Sequence, residues 1–152
     1  MTEYIDELIL KCTPIFFQGF KSIYDDTYTN CKQKKYILHD FQCKLECIPK
    51  WNSEIIDNEY IRFVKSTRCE WLDDLIQASY VKVADDLLKR NNDTKINLKI
   101  PNGPVFIHKC YISIAREIWK KPSLFFHSYK KNEIIKHQIK IKEIISNNII
   151  ST

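Results

Sequence analysis

His39, Cys43 and Cys47 stand four residues apart, so a helix carrying them would present an imidazole and two thiols on one face. Neutral imidazole and thiolate are zinc ligands, and a four-residue step can bring two of them to one ion. Three successive turns span about 12 Å, too far for all three to meet a single tetrahedral metal. The three are weak metal candidates, and Cys43 and Cys47 read more simply as small buried hydrophobes beside Leu45 and Ile48. His108 and Cys110 pair a base with a nucleophile, but positions two apart on a helix point about 200° from one another. His108 is therefore expected on a polar strip, bonding a nearby backbone group. The doublets Asp25-Asp26, Asp73-Asp74 and Asp85-Asp86 lack a histidine at a useful spacing and are read as helix-start or solvent-facing charge. With glycine only at positions 19 and 103, no phosphate-binding loop, dinucleotide fingerprint or nucleophile elbow can be written. No catalytic residue and no cofactor site follows, so the expectation is a protein that is not an enzyme and takes no small-molecule substrate.

A chain of 152 residues is one domain by length and can bury a sizeable core. A mean hydropathy of −0.36, with no apolar run near the roughly 20 residues of a bilayer span, argues against an integral membrane protein. The first residues, MTEYIDELILKC, carry acids where a secretion signal needs positive charge. The six cysteines sit inside apolar patterns and are read as reduced thiols of a cytosolic chain. The net charge of +5 is unevenly spread. Residues 1–76 hold 10 basic and 13 acidic side chains, a net −3, whereas residues 77–152 hold 14 and 6, a net +8. The excess gathers at Lys120, Lys121, Lys130, Lys131, Lys136, Lys140 and Lys142, which points to an acidic partner or to a solvated lysine face.

The elements that must position these residues are mainly α, with one small β element near residues 95–105. Three parts are expected: a poorly defined segment over 1–30, a helical core over 33–129 and a basic, isoleucine-rich segment over 130–152. A short amphipathic helix over 2–11 stops at Pro14, and 25–30 reads as a loop. Apolar residues recur at helical spacing from Gln33 to Ile48; Asn52 or Ser53 caps the next helix. Glu70 to Arg90 is the clearest helix, striped by Leu72, Leu75, Ile76, Tyr80, Val83 and Leu87. Ile96, Leu98 and Ile100 alternate like a strand; Pro101 to Pro104 then make a turn, with Asn-Gly supplying positive φ. From Val105 to Lys121 the period is helical and so apolar all round that the helix must be central.

Ser123 to Tyr129 forms an aromatic connector. Beyond it, Ile134, Ile135, Ile139, Ile141, Ile145 and Ile149 spread over more than half of a helical circle, too wide for one buried stripe. With Lys130 and Lys131 they are expected to bind a partner. The ending at Ser151-Thr152, straight after two isoleucines, reads as part of a longer product or as a face that a partner covers. Trp51, Trp71 and Trp119 fall on apolar stripes apart from the lysines, which disfavours nucleic acid as the partner.

Phe41-Gln42, Ile48-Pro49-Lys50-Trp51-Asn52, Glu59, Ser66-Thr67-Arg68-Cys69, Leu72-x-Asp74-Leu75-Ile76 and the run from Phe106 to Trp119 resemble an uncharacterised family of the nucleocytoplasmic large DNA viruses, of the iridovirus and mimivirus type. The resemblance covers roughly residues 36–152 and contains no catalytic signature. It implies a structural protein of the virion, a minor capsid component that contacts other virion proteins or the inner membrane. Its expected location is the virion, and the virus factory in the host cytoplasm before assembly. The alternative is a peripheral adaptor that binds acidic lipid or nucleic acid through the late lysine cluster.

Overall fold

A computed structural model describes residues 3–90 and 99–149. Among them the regular structure is all helical: α1 (Glu3–Asn30), α2 (Ile37–Cys47), α3 (Ser53–Thr67), α4 (Leu72–Arg90), α5 (Gly103–Lys120) and α6 (Lys131–Asn147). Short 3-10 turns stand at Lys34–Tyr36, Ile48–Lys50 and Pro122–Phe125. The mainly α expectation holds. Of the small β element, residues 95–98 lie outside the described part, 99–102 are irregular and Gly103 already belongs to α5.

The largest departure from the sequence reading is α1, one helix of 28 residues where a short helix, a break and a loop were expected. Its buried positions, Leu8, Cys12, Ile15, Phe16, Phe20, Tyr24 and Thr27, keep helical spacing straight through Pro14. Pro14 itself is exposed, and Leu10, four residues earlier, is 76% exposed. The proline removes one hydrogen bond on the solvent side, where water can serve the freed carbonyl. Losing that bond costs about 3 kcal/mol, and burying two phenylalanines at 1.5–3 kcal/mol each offsets it, by order-of-magnitude values.

The ends of the other helices follow from local chemistry. Asn52 caps α3 by accepting the Ile55 N–H at 2.9 Å, and Asn102 caps α5 by accepting that of Val105 at 3.0 Å. Asn102-Gly103 is thus a helix start and not a tight turn, and neither glycine has positive φ. Gly103 is needed because a Cβ there would collide with the Tyr60 ring. Pro122 ends α5 as expected, leaving Lys121 as its cap.

Two helices carry the packing. α1 lies against α2, α3, α4 and α6; α5 lies against α2, α3, α4 and α6. Between them sits a core of Phe16, Phe20, Phe41, Phe63, Phe106, Tyr111, Ile114 and Ile118, joined from the far end by Phe125, Ile141, Ile145 and Ile149. The aromatic connector sends one ring inside: Phe125 is buried on Phe17, Phe41 and Tyr24 at centroid distances of 6.3, 5.3 and 6.4 Å, while Leu124, Phe126 and Tyr129 are half-buried. On α4 only the first half of the expected stripe is inside. Leu72, Leu75 and Ile76 are buried, Tyr80 and Val83 half-buried, and Leu87 exposed.

The inner and outer faces of α6 should differ sharply in their contribution to stability. Ile145→Ala is expected to lower the unfolding free energy by about 2–5 kcal/mol, and Ile139→Ala by less than about 0.5 kcal/mol. Urea unfolding followed by far-UV circular dichroism measures both; equal effects would mean that α6 is not docked.

Candidate interaction surfaces

The side chains with potential chemistry do not converge. On α2 the inward stripe is Ile37, Phe41 and Leu45, continued by Ile48, which turns His39, Cys43 and Cys47 to the solvent. Cys43 and Cys47 are thus exposed thiols, not buried hydrophobes, because positions two and six beyond Phe41 face away from the core. His39 Nε2 lies 3.8 Å from Cys43 Sγ, and Cys47 Sγ donates instead to the Cys43 carbonyl at 3.3 Å. Among the described residues no group of three or more His, Cys, Asp or Glu side chains is arranged to hold a metal ion.

His108 and Cys110 part company as their spacing requires. The His108 ring stacks on Trp51, 5.9 Å between centroids, and its Nε2 donates to the Ile48 carbonyl at 2.8 Å. The Ile48 carbonyl also accepts the Trp51 N–H at 3.1 Å, so the imidazole adds a second bond to it and ties the turn after α2 to α5. Cys110 points inward and donates to the Ile149 carbonyl at 3.2 Å. Asp73 does more than open α4: its Oδ1 accepts the Gly103 N–H at 2.8 Å, joining the starts of α4 and α5. Asp85 and Asp86 make helix-surface ion pairs with Lys89 and Lys82. His127 accepts from the Tyr24 hydroxyl through Nδ1 at 2.7 Å, while its own backbone N–H donates to that hydroxyl at 3.3 Å.

Sequence reasoning missed the polar centre of the fold. The Tyr111 ring sits among Phe16, Phe20, Trp51 and Phe63, at centroid distances of 5.0 to 6.2 Å. Its hydroxyl accepts from Arg62 Nη2 at 3.0 Å and donates to Glu59 Oε1 at 3.3 Å. Arg62 also pairs with Glu59 Oε2 at 2.6 Å and donates to the Ile15 carbonyl of α1 at 3.2 Å. Burial alone would weaken the Arg62 charge, but Glu59 and Tyr111 more than offset it, and the guanidinium pKa rises. Burial, with the Glu59 charge acting in the same sense, pushes the Tyr111 phenol far above its ordinary value. The only prior signal was the placing of Glu59 and Arg62 one turn apart on α3.

Of the residues expected to bind a partner, the structure divides those on the last helix into two faces. Ile141, Ile145 and Ile149 are at most 2% exposed and belong to the chain's own core, so they are withdrawn from any partner surface. Ile134 is half-buried against α1 and the connector. Ile135 and Ile139 remain outside at 49% and 63%, with Lys130, Lys131 and Lys136 exposed near them. The reason is geometric: α6 runs antiparallel along α1, Ser146 meeting Thr13 and Lys142 covering Phe17, so one face docks and the opposite one cannot. On that same α1–α6 layer Leu10 is 76% exposed; it and Ile139 are the most exposed large apolar side chains among the described residues.

A family profile described as "Family of unknown function (DUF5764)" matches residues 1–126. The chain belongs to that family. The family match takes in α1 to α5 and the 3-10 turn after them and stops short of α6. No curated protein and no solved structure matches the chain. No helix among the described residues is long and apolar enough to cross a membrane.

None of the six cysteines is in a disulfide; Cys12, Cys31, Cys69 and Cys110 are buried and Cys43 and Cys47 exposed. Native protein should therefore release two equivalents rapidly to an aromatic disulfide reagent, and Cys43→Ser with Cys47→Ser should abolish that fast phase.

Burial raises the Cys12 thiol from 9.0 to about 12, with smaller effects from Cys69 and Lys11. Between those values the unfolded chain has lost a proton that the folded chain keeps, so stability falls as pH rises. The slope from this one group approaches about 1.4 kcal/mol per pH unit. Urea titrations from pH 8 to 12 should show a shallower alkaline decline in Cys12→Ala than in the parent; parallel declines would contradict it.

Proposed function

We propose that this chain is a non-catalytic interaction module that works as a structural protein of a large DNA virus, a minor capsid component contacting other virion proteins or the inner membrane. The observation that carries the interaction reading is the outer surface of the α1–α6 layer. Ile135 and Ile139 lie one turn apart on α6, outside a core that already contains Ile141, Ile145 and Ile149. Leu10 on α1 adds a third large apolar side chain to the same layer. Paired exposed isoleucines gain free energy when a neighbour covers them, at roughly 25 cal/mol per Å² of apolar area. Lys130, Lys131 and Lys136 beside them favour a partner with acidic groups at its rim and speed encounter. The viral assignment is supported by the motif resemblance of residues 36–152 and by the lysine- and isoleucine-rich, glycine-poor composition.

The test is proximity labelling of neighbours in infected cells, with mass spectrometry of purified particles. The protein is expected in the particle, and Ile135→Ser with Ile139→Ser should leave the circular dichroism unchanged while removing the labelled neighbours. Absence from the particle would sink the virion assignment. Binding to anionic vesicles or DNA that survives both substitutions and weakens steeply with salt would favour the adaptor reading instead.

A further inference from the structure

A second surface, lined by no residue of α6, has the features of a built recognition groove. It lies between α2 and α5, is open along one side, has a volume of about 420 Å³ and is walled by Pro49 and Trp119 over Leu45, Ile112 and Ala115. Trp119 is 42% exposed, close to the 47% of Trp71, but unlike Trp71 it stands at the wall of a groove.

The ring is held where it is. Its indole N–H donates to Glu46 Oε1 at 3.1 Å, and its backbone carbonyl accepts from Gln42 Nε2 at 2.8 Å. Gln42 and Glu46 are one turn apart on α2, so two bonds fix the end of α5 against α2. Two consequences follow. The indole has no unpaired donor, so a partner can cover the ring without stranding a polar group. The wall is also rigid before binding, which reduces the entropy lost on association.

The charges choose the partner. Glu117 is paired with Lys120 at 3.2 Å, whereas Glu46, bonded only to the neutral indole, keeps its negative charge at the Trp119 wall and is outnumbered by the cations around it. Arg116, one turn before Trp119 and at the groove's edge, has no ion-pair partner among the described residues. Lys50 follows Pro49, Lys121 follows the Lys120 of the rim, and Lys109 lies one turn before Ile112; all three are exposed and equally unpaired there. What remains for a ligand is an apolar trough between fixed walls, edged by free cations.

We propose that the α2–α5 groove docks an amphipathic helix from a protein partner, its apolar stripe against Trp119, Pro49 and Ile112 and its aspartates or glutamates against Arg116 and the neighbouring lysines. An open trough between two helices suits the apolar face of a third, and tryptophan and arginine are the residues that most often dominate such contacts. This proposal uses none of the residues on which the α6 reading rests, so either can fail alone.

The test is selection of a random peptide library displayed on phage against the whole protein, with no counter-selection on any variant. Enriched peptides should carry apolar residues at helical spacing interleaved with acids. Their binding should fall about tenfold or more in Trp119→Ala and again in Arg116→Glu, both variants keeping the parent's circular dichroism. Arg116→Glu changes only a solvent-facing side chain, so it decides the matter even where Trp119→Ala loosens the end of α5. Three outcomes overturn the proposal. One is enrichment of basic or uncharged peptides, and another is binding indifferent to both substitutions. The third is a dimer in sedimentation that Trp119→Ala dissociates, which would give the groove to a second copy of this chain.

Discussion

The Tyr111 hydroxyl is a polar atom in the most apolar part of the molecule, and the arrangement of three helices follows from the need to satisfy it. An unpaired hydroxyl there would cost about 1–3 kcal/mol. Arg62 and Glu59 of α3 supply both its bonds, and Arg62 reaches on to the Ile15 carbonyl of α1. α1, α3 and α5 are thereby fixed to one another at a single point. The fit leaves no room on the α1 side: Gly19 stands against the Tyr111 hydroxyl, and any Cβ at that position would overlap it. Around this point the Phe16, Phe20, Trp51 and Phe63 rings add edge-on and tilted contacts whose geometry is as specific as the hydrogen bonds.

The periphery is tied down by the same kind of bond, a side chain serving a helix end. His108 donates to the Ile48 carbonyl in the turn after α2, Asp73 accepts the first N–H of α5, and Gln42 donates to the Trp119 carbonyl near the end of α5. Each links two helices, and each uses a residue that would draw attention in a search for catalytic groups. His108 commits its Nε2 in this way, and Asp73 both carboxylate oxygens, one to the Gly103 N–H and one to Gln77. His39, Cys43 and Cys47 lie along the solvent side of α2, and among the described residues their side chains hydrogen-bond only to one another. Exposed apolar side chains such as Leu10, Ile135, Ile139 and Trp119 remain available to neighbours.

Helix existence was legible in the chain wherever apolar residues recur with a period near 3.6, as over 33–48, 53–67 and 72–90. Helix limits were legible where a cap or proline stands, at Asn52 and Pro122. Pro14 misled because a proline's cost depends on which side of the helix it faces, and that is known only once the helix has docked. Asn102-Gly103 misled in a related way. The pair favours a tight turn when isolated, but here the asparagine caps and the glycine makes way for the Tyr60 ring. The isoleucines of α6 looked like one sticky surface because composition cannot assign faces. Docking along α1 split them into Ile141, Ile145 and Ile149 inside and Ile135 and Ile139 outside.

By itself the sequence determined a mainly helical fold, the absence of glycine-based phosphate or nucleophile motifs, and the concentration of positive charge in the second half. These depend on residue type and short-range spacing, which the chain carries locally. Tertiary structure alone decided that Glu59, Arg62 and Tyr111 meet, that Trp119 is clamped at the edge of a groove, and which isoleucines stay outside. Those facts join residues up to tens of positions apart, and they exist only after helices choose the faces on which they pack.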